Sequence, residues 1–135
     1  MPESGYSGTP LPKKLGIAAG SRVLLDGAPA DFALDALPEE VALQRRAGPG
    51  PYDLAVVFCH DRARLAQRWP VLHALVTPAG RLWVAWPKRA SGLQTDLDDN
   101  LVREFGLAHG RVDTKVCAID VTWSGLAFVV RLKDR

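Results

Sequence analysis

Three short, continuous runs of apolar residues stand out along the chain. They read RVLLD at residues 22–26, YDLAVVFC at 52–59 and RLWVAWP at 81–87. Runs of this length, bounded by Gly, Pro or polar residues, are typical of strands that are buried on both faces of a parallel sheet. A weaker run, VALQRR at 41–46, predicts a further short strand.

The segment that follows the second run has helical spacing. Asp61 can cap a helix in which Leu65 and Trp69 lie four residues apart on one face. Proline lacks a backbone N–H and clashes with the preceding turn inside a helix. We therefore predict that this helix breaks at Pro70 and that a second short helix runs from there to Leu75.

Two further helices are predicted in the first third of the chain. Residues 9–16, TPLPKKLG, predict one helical turn that Thr9 caps and Gly16 closes in a left-handed conformation. Residues 30–38, ADFALDALP, predict a short helix with Phe32 among its apolar residues.

The segment TDLDDNLVREFG, residues 95–106, predicts a helix that begins with an acidic turn. Thr95 is its expected cap, and Gly106 is one candidate for its end. The aspartates near its start suit the positive end of the helix dipole.

The last apolar segments predict a β-hairpin. They span residues 115–123 and 126–132, with Ser124-Gly125 as a two-residue turn. The whole order of elements predicts an α/β fold, a three-layer Rossmann-like sandwich with helices on both faces of a mostly parallel sheet of about six strands. We expect residues 1–9 to form a flexible arm and residues 10–135 to form this single domain.

Composition narrows the class of protein. The chain has 135 residues and a formal net charge of +2, which argues against a nucleic-acid binder. It has no apolar run long enough for a membrane-spanning helix and no apolar core of a signal peptide. Cys59 and Cys117 belong to no disulfide or metal motif. These features predict a reduced, cytoplasmic protein without a metal site.

Ligands of open parallel sheets bind at the carboxyl ends of the strands. This rule selects three loops, at residues 26–29, 59–61 and 86–92. The amino-terminal arm precedes the first strand, so it can fold over the same edge and bring Lys13 and Lys14 with it.

The third loop has the features of an anion site. Pro87 fixes the direction of exit, Lys88 and Arg89 supply charge, and a Ser-Gly pair permits a tight turn. An exposed cation pair after a strand is the open alternative, because the acidic start of the next helix would repel an anion. The candidate ligand-binding residues are Tyr6, Ser7, Thr9, Lys13, Lys14, Asp26, Gly27, Trp86, Lys88, Arg89 and Ser91.

The Cys59-His60-Asp61 run invites comparison with a catalytic triad. Adjacent side chains on an extended segment point to opposite faces, so they do not converge on one reacting atom. We therefore predict a helix cap at Asp61, a buried Cys59 and no catalytic residue.

The tryptophans near the strand ends leave two interpretations open. Trp83 and Trp86 have opposite parity along their strand, so we expect them on opposite faces of the sheet. Trp86 and Trp123 are candidates either for lining a pocket or for packing at the edge of the core.

Several long segments resemble a bacterial family classified as a domain of unknown function. They are GYSGTPLPKKLGI, LWVAWPKRASGLQTDL, RVDTKVCAIDVTWSGL and FVVRL, and the resemblance extends from Gly5 to Arg131. This family brings no established activity to transfer.

The order of elements is also similar to class I S-adenosylmethionine-dependent methyltransferases. KLGIAAGSRVLLDGAP lies where that superfamily has its first strand and glycine loop, and YDLAVVF resembles its fourth strand. The resemblance implies that the terminal hairpin forms the antiparallel sixth and seventh strands of that fold and that the last strand inserts between the fifth and sixth. It also implies that this chain has one strand–helix unit fewer. The chain departs from the Gly-x-Gly-x-Gly loop, since only Gly27 follows Asp26. The acidic residue that would hold the cofactor ribose is absent from VALQRRAG.

The predicted function is non-catalytic binding of a small anionic ligand or a protein partner at the carboxyl edge of the sheet, with no cofactor required. One alternative is an S-adenosylmethionine-dependent methyltransferase, or another group transferase, with Asp26 as a required contact. Another is a regulatory or interaction protein. A homodimer through the edge of the terminal hairpin is a further option.

Overall fold

A computed structural model describes residues 9–135 of the chain. Most of the predicted arm, including Tyr6 and Ser7, therefore lies outside the described residues. The elements in chain order are α1 (Leu11–Leu15), β1 (Arg22–Asp26), β2 (Ala42–Gln44), β3 (Tyr52–Phe58), α2 (Arg62–Leu75), β4 (Val76–Pro87), α3 (Asp99–Ala108), β5 (Val112–Ala118) and β6 (Trp123–Val129). Short 3-10 turns occupy Arg89–Ser91 and Leu132–Asp134.

The six strands form one sheet in the order β2-β1-β3-β4-β6-β5. The pairs among β1, β2, β3 and β4 are parallel, whereas β6 is antiparallel to both β4 and β5. The last strand thus lies between β4 and its hairpin partner, as the sequence predicts. This is the expected Rossmann-like α/β architecture. The strand order reverses between β1 and β3, which is where such sheets open a ligand crevice.

The two faces of the sheet are covered by different structures. Helices α2 and α3 pack on one face, where Trp69 and Trp86 belong to the core. On the other face the core contains Leu15 of α1 and Trp83, together with Phe32 of the connection between β1 and β2. Trp83 and Trp86 therefore lie on opposite faces, which confirms the expectation from their parity.

Helix α1 is fixed to the centre of the sheet by a buried hydrogen bond. The indole N–H of Trp83 donates to the carbonyl of Leu15 at 2.9 Å, and Arg81 donates to the same oxygen at 3.2 Å. Gly16 closes the helix with a left-handed φ of 91°, as predicted. The prediction that Thr9 caps α1 is wrong, because Pro10 precedes the helix and no side-chain cap is made.

The helix predicted at residues 30–38 does not form. The connection between β1 and β2 is irregular, although Phe32 is buried as expected. Two of its carbonyls are satisfied from outside the segment: the Arg45 guanidinium donates to Pro29 at 2.7 Å and to Phe32 at 2.8 Å. A side chain thus takes the place of helical hydrogen bonds here.

The predicted break at Pro70 is also wrong. Helix α2 is continuous and contains Pro70 at an exposed position. Its buried residues lie on both sides of the proline and include Leu65 and Leu72, so packing on the sheet outweighs the local cost of the proline. The predicted cap is confirmed, since the Asp61 carboxylate accepts the Arg64 backbone N–H at 2.9 Å.

Helix α3 begins and ends later than predicted. Asp98 is its cap and accepts the Leu101 N–H at 2.8 Å, whereas Thr95 accepts the Leu97 N–H in a turn before the helix. Gly106 does not end the helix. It lies inside α3 against the Phe128 ring, where a Cβ atom would have no room.

The hairpin turn is not at Ser124-Gly125, because both residues belong to β6. The turn spans residues 119–122. The Oδ1 atom of Asp120 accepts the backbone N–H groups of Thr122 and Trp123, each at 2.8 Å. A turn held by the Asp120 side chain therefore reverses the chain. Gly125 lies in β6, where the absence of a side chain allows close packing against Trp83.

A buried arginine joins the ends of α2 and α3 to the sheet. Arg111 is 2% exposed and makes no ion pair with any residue in the range 9–135. Its Nε donates to Nδ1 of His73 at 2.9 Å, and another nitrogen donates to the Val76 carbonyl at 3.0 Å. Burial lowers the pKa of Arg111 to about 10.

This contact makes the stability of the fold sensitive to pH. Burial, and then the charges of Arg111 and His109, lower the pKa of His73 below its ordinary value of 6.5. Below pH 6.5, His73 binds a proton in the unfolded chain more readily than in the folded chain. We therefore expect the free energy of unfolding to decrease as the pH is lowered. Urea denaturation between about pH 7.5 and pH 5.5, where most carboxylates stay ionised, measures this slope. A His73→Gln variant should flatten it, and an unchanged slope would contradict the assignment.

Candidate functional site

A cavity of about 870 Å³ lies at the carboxyl edge of the sheet, on the face that carries α1. Gly27 and His60, which line it, follow the ends of β1 and β3. Trp123 also lines it and pairs with Pro87 at the end of β4. The start of α1 and the irregular connection after β1 supply the remaining walls. The cavity therefore adjoins the point where the strand order reverses.

The apolar wall of the cavity is held by aromatic contacts. Phe58 lies edge-on between Phe32 and Trp123, with ring centroids 5.0 and 5.1 Å away. The His60 ring meets Trp123 edge-on at 5.2 Å. Phe32, Trp123 and Ile119 line the cavity and are themselves almost fully buried. This wall is thus preformed by the core.

Charged groups line the rest of the cavity. Lys14 of α1 is one of them, and the others are Asp31, Asp35 and Asp120. The two aspartates of the irregular connection are exposed, and Asp120 of the hairpin turn is half-buried. The cavity therefore combines an apolar wall with several carboxylates.

Among residues 9–135, two of the residues predicted to bind a ligand line this cavity, namely Lys14 and Gly27. Thr9 is half-buried and Lys13 is exposed, and neither is part of the lining. Trp86 packs in the core beneath α2 and α3, so of the two tryptophans proposed for a pocket it is Trp123 that lines one.

The predicted anion loop forms a turn that satisfies its own polar groups. The carbonyl of Lys88 accepts the backbone N–H of Ser91 at 3.0 Å and its hydroxyl at 2.7 Å. The Ser91 hydroxyl oxygen in turn accepts the Leu93 N–H at 3.1 Å. Leu93 lines the cavity, whereas Lys88, Arg89 and Ser91 do not. Anion binding by this loop stays a prediction.

Asp26 is engaged in an ion pair rather than turned toward the cavity. Its two carboxylate oxygens accept Nε and a terminal nitrogen of Arg68, both at 2.9 Å. The Asp26 side chain is 8% exposed and that of Arg68 is 21% exposed. This bidentate pair ties the end of β1 to α2.

The residues at these strand ends differ from those that the resemblance to the methyltransferase superfamily implies for its cofactor. Gly27, with a φ of 73°, is the glycine of a loop that leads into no helix, and the Asp26 carboxylate is bound to Arg68. At the end of β2 the chain has Arg45, which bonds the Pro29 and Phe32 carbonyls in place of an acidic partner for ribose.

The Cys59-His60-Asp61 run is divided among three separate tasks. Burial raises the pKa of Cys59 to about 12, so its thiol stays protonated at neutral pH. His60 contacts Trp123, and Asp61 caps α2. These contacts agree with the prediction of a buried cysteine and a helix cap.

Sequence reasoning missed most of the lining. Phe32 and Asp31 had been placed in a helix that does not form, and the turn residues Asp120 and Thr122 had been placed inside a strand. The one available signal was Asp120, because aspartate accepts backbone N–H groups two residues ahead and favours turns.

Comparison with known proteins supports the fold. No family model and no curated protein matches the chain. A solved structure with the same fold is the DhpI–SAH complex, with a TM-score of 0.57 and 12% sequence identity over 86% of this chain and 78% of that chain. The chain thus has a methyltransferase-like Rossmann fold, and the resemblance to a bacterial domain family stays a prediction.

The described part of the chain also bears on membrane insertion. Across residues 9–135, every helix is too short or too polar to span a lipid bilayer.

The geometry of Asp26 predicts a structural role that can be measured. We expect Arg68→Met to lower the free energy of unfolding by about 2–4 kcal/mol, because it leaves a buried carboxylate without its partner. The matched control is Arg103→Met, which removes a pair with Asp113 that is about one-third exposed and should cost about 1 kcal/mol or less. Chemical denaturation measures both, and equal losses would contradict the structural role.

Proposed function

We propose that this chain binds a small molecule in the cavity at the carboxyl edge of its sheet and does not transfer a methyl group. The observation that carries the proposal is the cavity itself. Its volume of about 870 Å³ lies within the usual range of small-molecule sites, and α/β sheets bind ligands at this edge. The preformed aromatic wall also favours binding, because its side chains lose little conformational freedom when a ligand binds.

The absence of catalysis is supported by the contacts of the nearby reactive groups. Cys59 is buried and protonated, and the Asp26 carboxylate is bound to Arg68. His60 lines the cavity but makes no hydrogen bond to a nucleophile among residues 9–135. No group in this part of the chain is arranged as a nucleophile with its base.

The alternative is an S-adenosylmethionine-dependent methyltransferase. It is supported by the fold shared with the DhpI–SAH complex. The engaged Asp26 and the position of Arg45 count against it, because both groups take up the strand ends where the cofactor would bind. Titration calorimetry with S-adenosylmethionine and its demethylated product separates the two proposals: saturable heat would favour the methyltransferase.

The charge expected of the ligand differs between the loop after β4 and the cavity. The sequence predicts an anion held by Lys88 and Arg89, whereas the cavity takes only Lys14 from the predicted cations. The proposal therefore concerns a small molecule in the cavity and does not depend on the loop after β4. A protein partner and a homodimer through the hairpin edge stay predictions.

Blocking the cavity should abolish binding. A thermal-shift panel of metabolites, nucleotides and adenosyl compounds should give hits that raise the melting temperature by about 5–10 °C at about 100 times Kd. We expect Ala33→Trp, at an exposed position of the lining, to remove these shifts. Ala30→Trp is the matched control, since Ala30 is exposed in the same connection and does not line the cavity. A panel without hits, or hits that survive Ala33→Trp, would contradict the proposal.

Removal of Lys88 and Arg89 tests whether the ligand binds in the cavity or at the loop after β4. We expect the double variant Lys88→Ala with Arg89→Ala to keep the ligand-induced shift within about 1 °C, because neither residue lines the cavity. Thermal shift with the same hits measures it. Loss of the shift without loss of stability would instead support the anion site predicted from the sequence.

A further inference from the structure

We propose that the ligand of the cavity carries a positively charged amine on an apolar, aromatic body. This inference rests on the proposed function and adds the chemical class of the ligand. It follows from three observations: the charges that line the cavity, the partners that these charges already have, and the nature of the apolar wall.

The first observation is the sign of the lining charges. Three carboxylates, of Asp31, Asp35 and Asp120, face a single ammonium group, that of Lys14. The ammonium belongs to α1, which forms one wall of the cavity. The carboxylates of the connection after β1 belong to a different wall. A ligand that enters between these walls meets mainly negative charge.

The second observation is that these carboxylates have no cationic partner within residues 9–135. The ion pairs within residues 9–135 are Arg68–Asp26 and Arg103–Asp113, and neither includes a carboxylate of the cavity. Asp120 uses Oδ1 for two backbone N–H groups. Among the described hydrogen bonds, none involves its Oδ2, which leaves this oxygen for a ligand.

Three of the basic groups near the same edge are engaged elsewhere. Arg45 bonds the Pro29 and Phe32 carbonyls, and Arg68 bonds Asp26. The Lys115 ammonium donates to the Lys14 carbonyl at 3.0 Å. Lys88 and Arg89 follow β4 and do not line the cavity, and neither described ion pair includes a carboxylate of the cavity, so a cationic ligand would complement the charge of its lining.

The third observation concerns the body of the ligand. The apolar wall is built from Phe32, Ile119 and Trp123, with the His60 ring beside it. An aromatic body packs on such a wall, and an ammonium group near aromatic faces gains a further attraction. An amine with an aromatic body matches both parts of the cavity at once.

A set of matched compounds tests the charge. Tryptamine, indole-3-propionate and 3-propylindole share one aromatic body and differ in carrying an ammonium, a carboxylate or a methyl group at the end of the side chain. Calorimetry with the full chain should show that tryptamine binds at least about tenfold more tightly than indole-3-propionate. The preference should weaken as salt is raised, because the carboxylates of the connection are exposed. The same series on a phenyl body repeats the comparison.

Variants assign the preference to the carboxylates. Asp31→Asn with Asp35→Asn should reduce the preference for tryptamine to about threefold or less. The control is Asp99→Asn with Asp134→Asn, two exposed aspartates outside the lining, which should leave it unchanged. Both residues of the cavity pair are exposed and make no ion pair in the described chain, so the fold should tolerate the change.

The outcomes separate the inference from the proposed function. If the carboxylate or neutral compound binds as tightly as tryptamine and Ala33→Trp abolishes that binding, the inference on charge is overturned and the cavity remains the site. If no compound binds, either in this series or in the metabolite panel, the inference on charge and the proposed function are both overturned. A tryptamine preference that the aspartate variants leave intact also overturns the inference.

Discussion

The buried hydrogen bond from Trp83 to Leu15 fixes α1 against the sheet, and α1 forms one wall of the cavity at the carboxyl edge. Trp83 lies in the central strand β4, and the bond holds the end of α1 at the middle of the sheet. From that anchor α1 extends back to the carboxyl edge, where its first residues and Lys14 form one wall of the cavity. Loss of the anchor would release the wall, because a helix of five residues has little stability of its own.

The connection between β1 and β2 supplies aromatic and acidic residues to the lining of the cavity. Without the expected helix, the chain leaves β1 in an irregular path that buries Phe32 and leaves Asp31 and Asp35 at the surface. The two hydrogen bonds from Arg45 fix this path. This connection builds a wall of the cavity with its own aromatic and acidic groups. Because function depends on the site rather than on the fold, this wall is what the proposed function is argued from.

The predictable features were those specified by neighbouring residues in the sequence. The strands, the Asp61 cap and the opposite faces of Trp83 and Trp86 follow from local periodicity and capping chemistry. The predictions that failed involve distant contacts: α2 tolerates Pro70 because it packs on the sheet, and residues 30–38 follow an irregular path in which the distant Arg45 satisfies the Phe32 carbonyl. The cavity could not be predicted, since its walls come from five separate parts of the chain that only the tertiary fold brings together.

Asp120 has two tasks that cannot be separated. One carboxylate holds the β5–β6 turn through the amides of Thr122 and Trp123, and the same group lines the cavity. Under the proposed function, a cation bound at Oδ2 would draw charge from Oδ1 and weaken its hydrogen bonds to the two amides, so occupancy of the cavity and opening of the turn would be thermodynamically linked. Hydrogen exchange at the amides of Thr122 and Trp123 would then report on a ligand in the cavity.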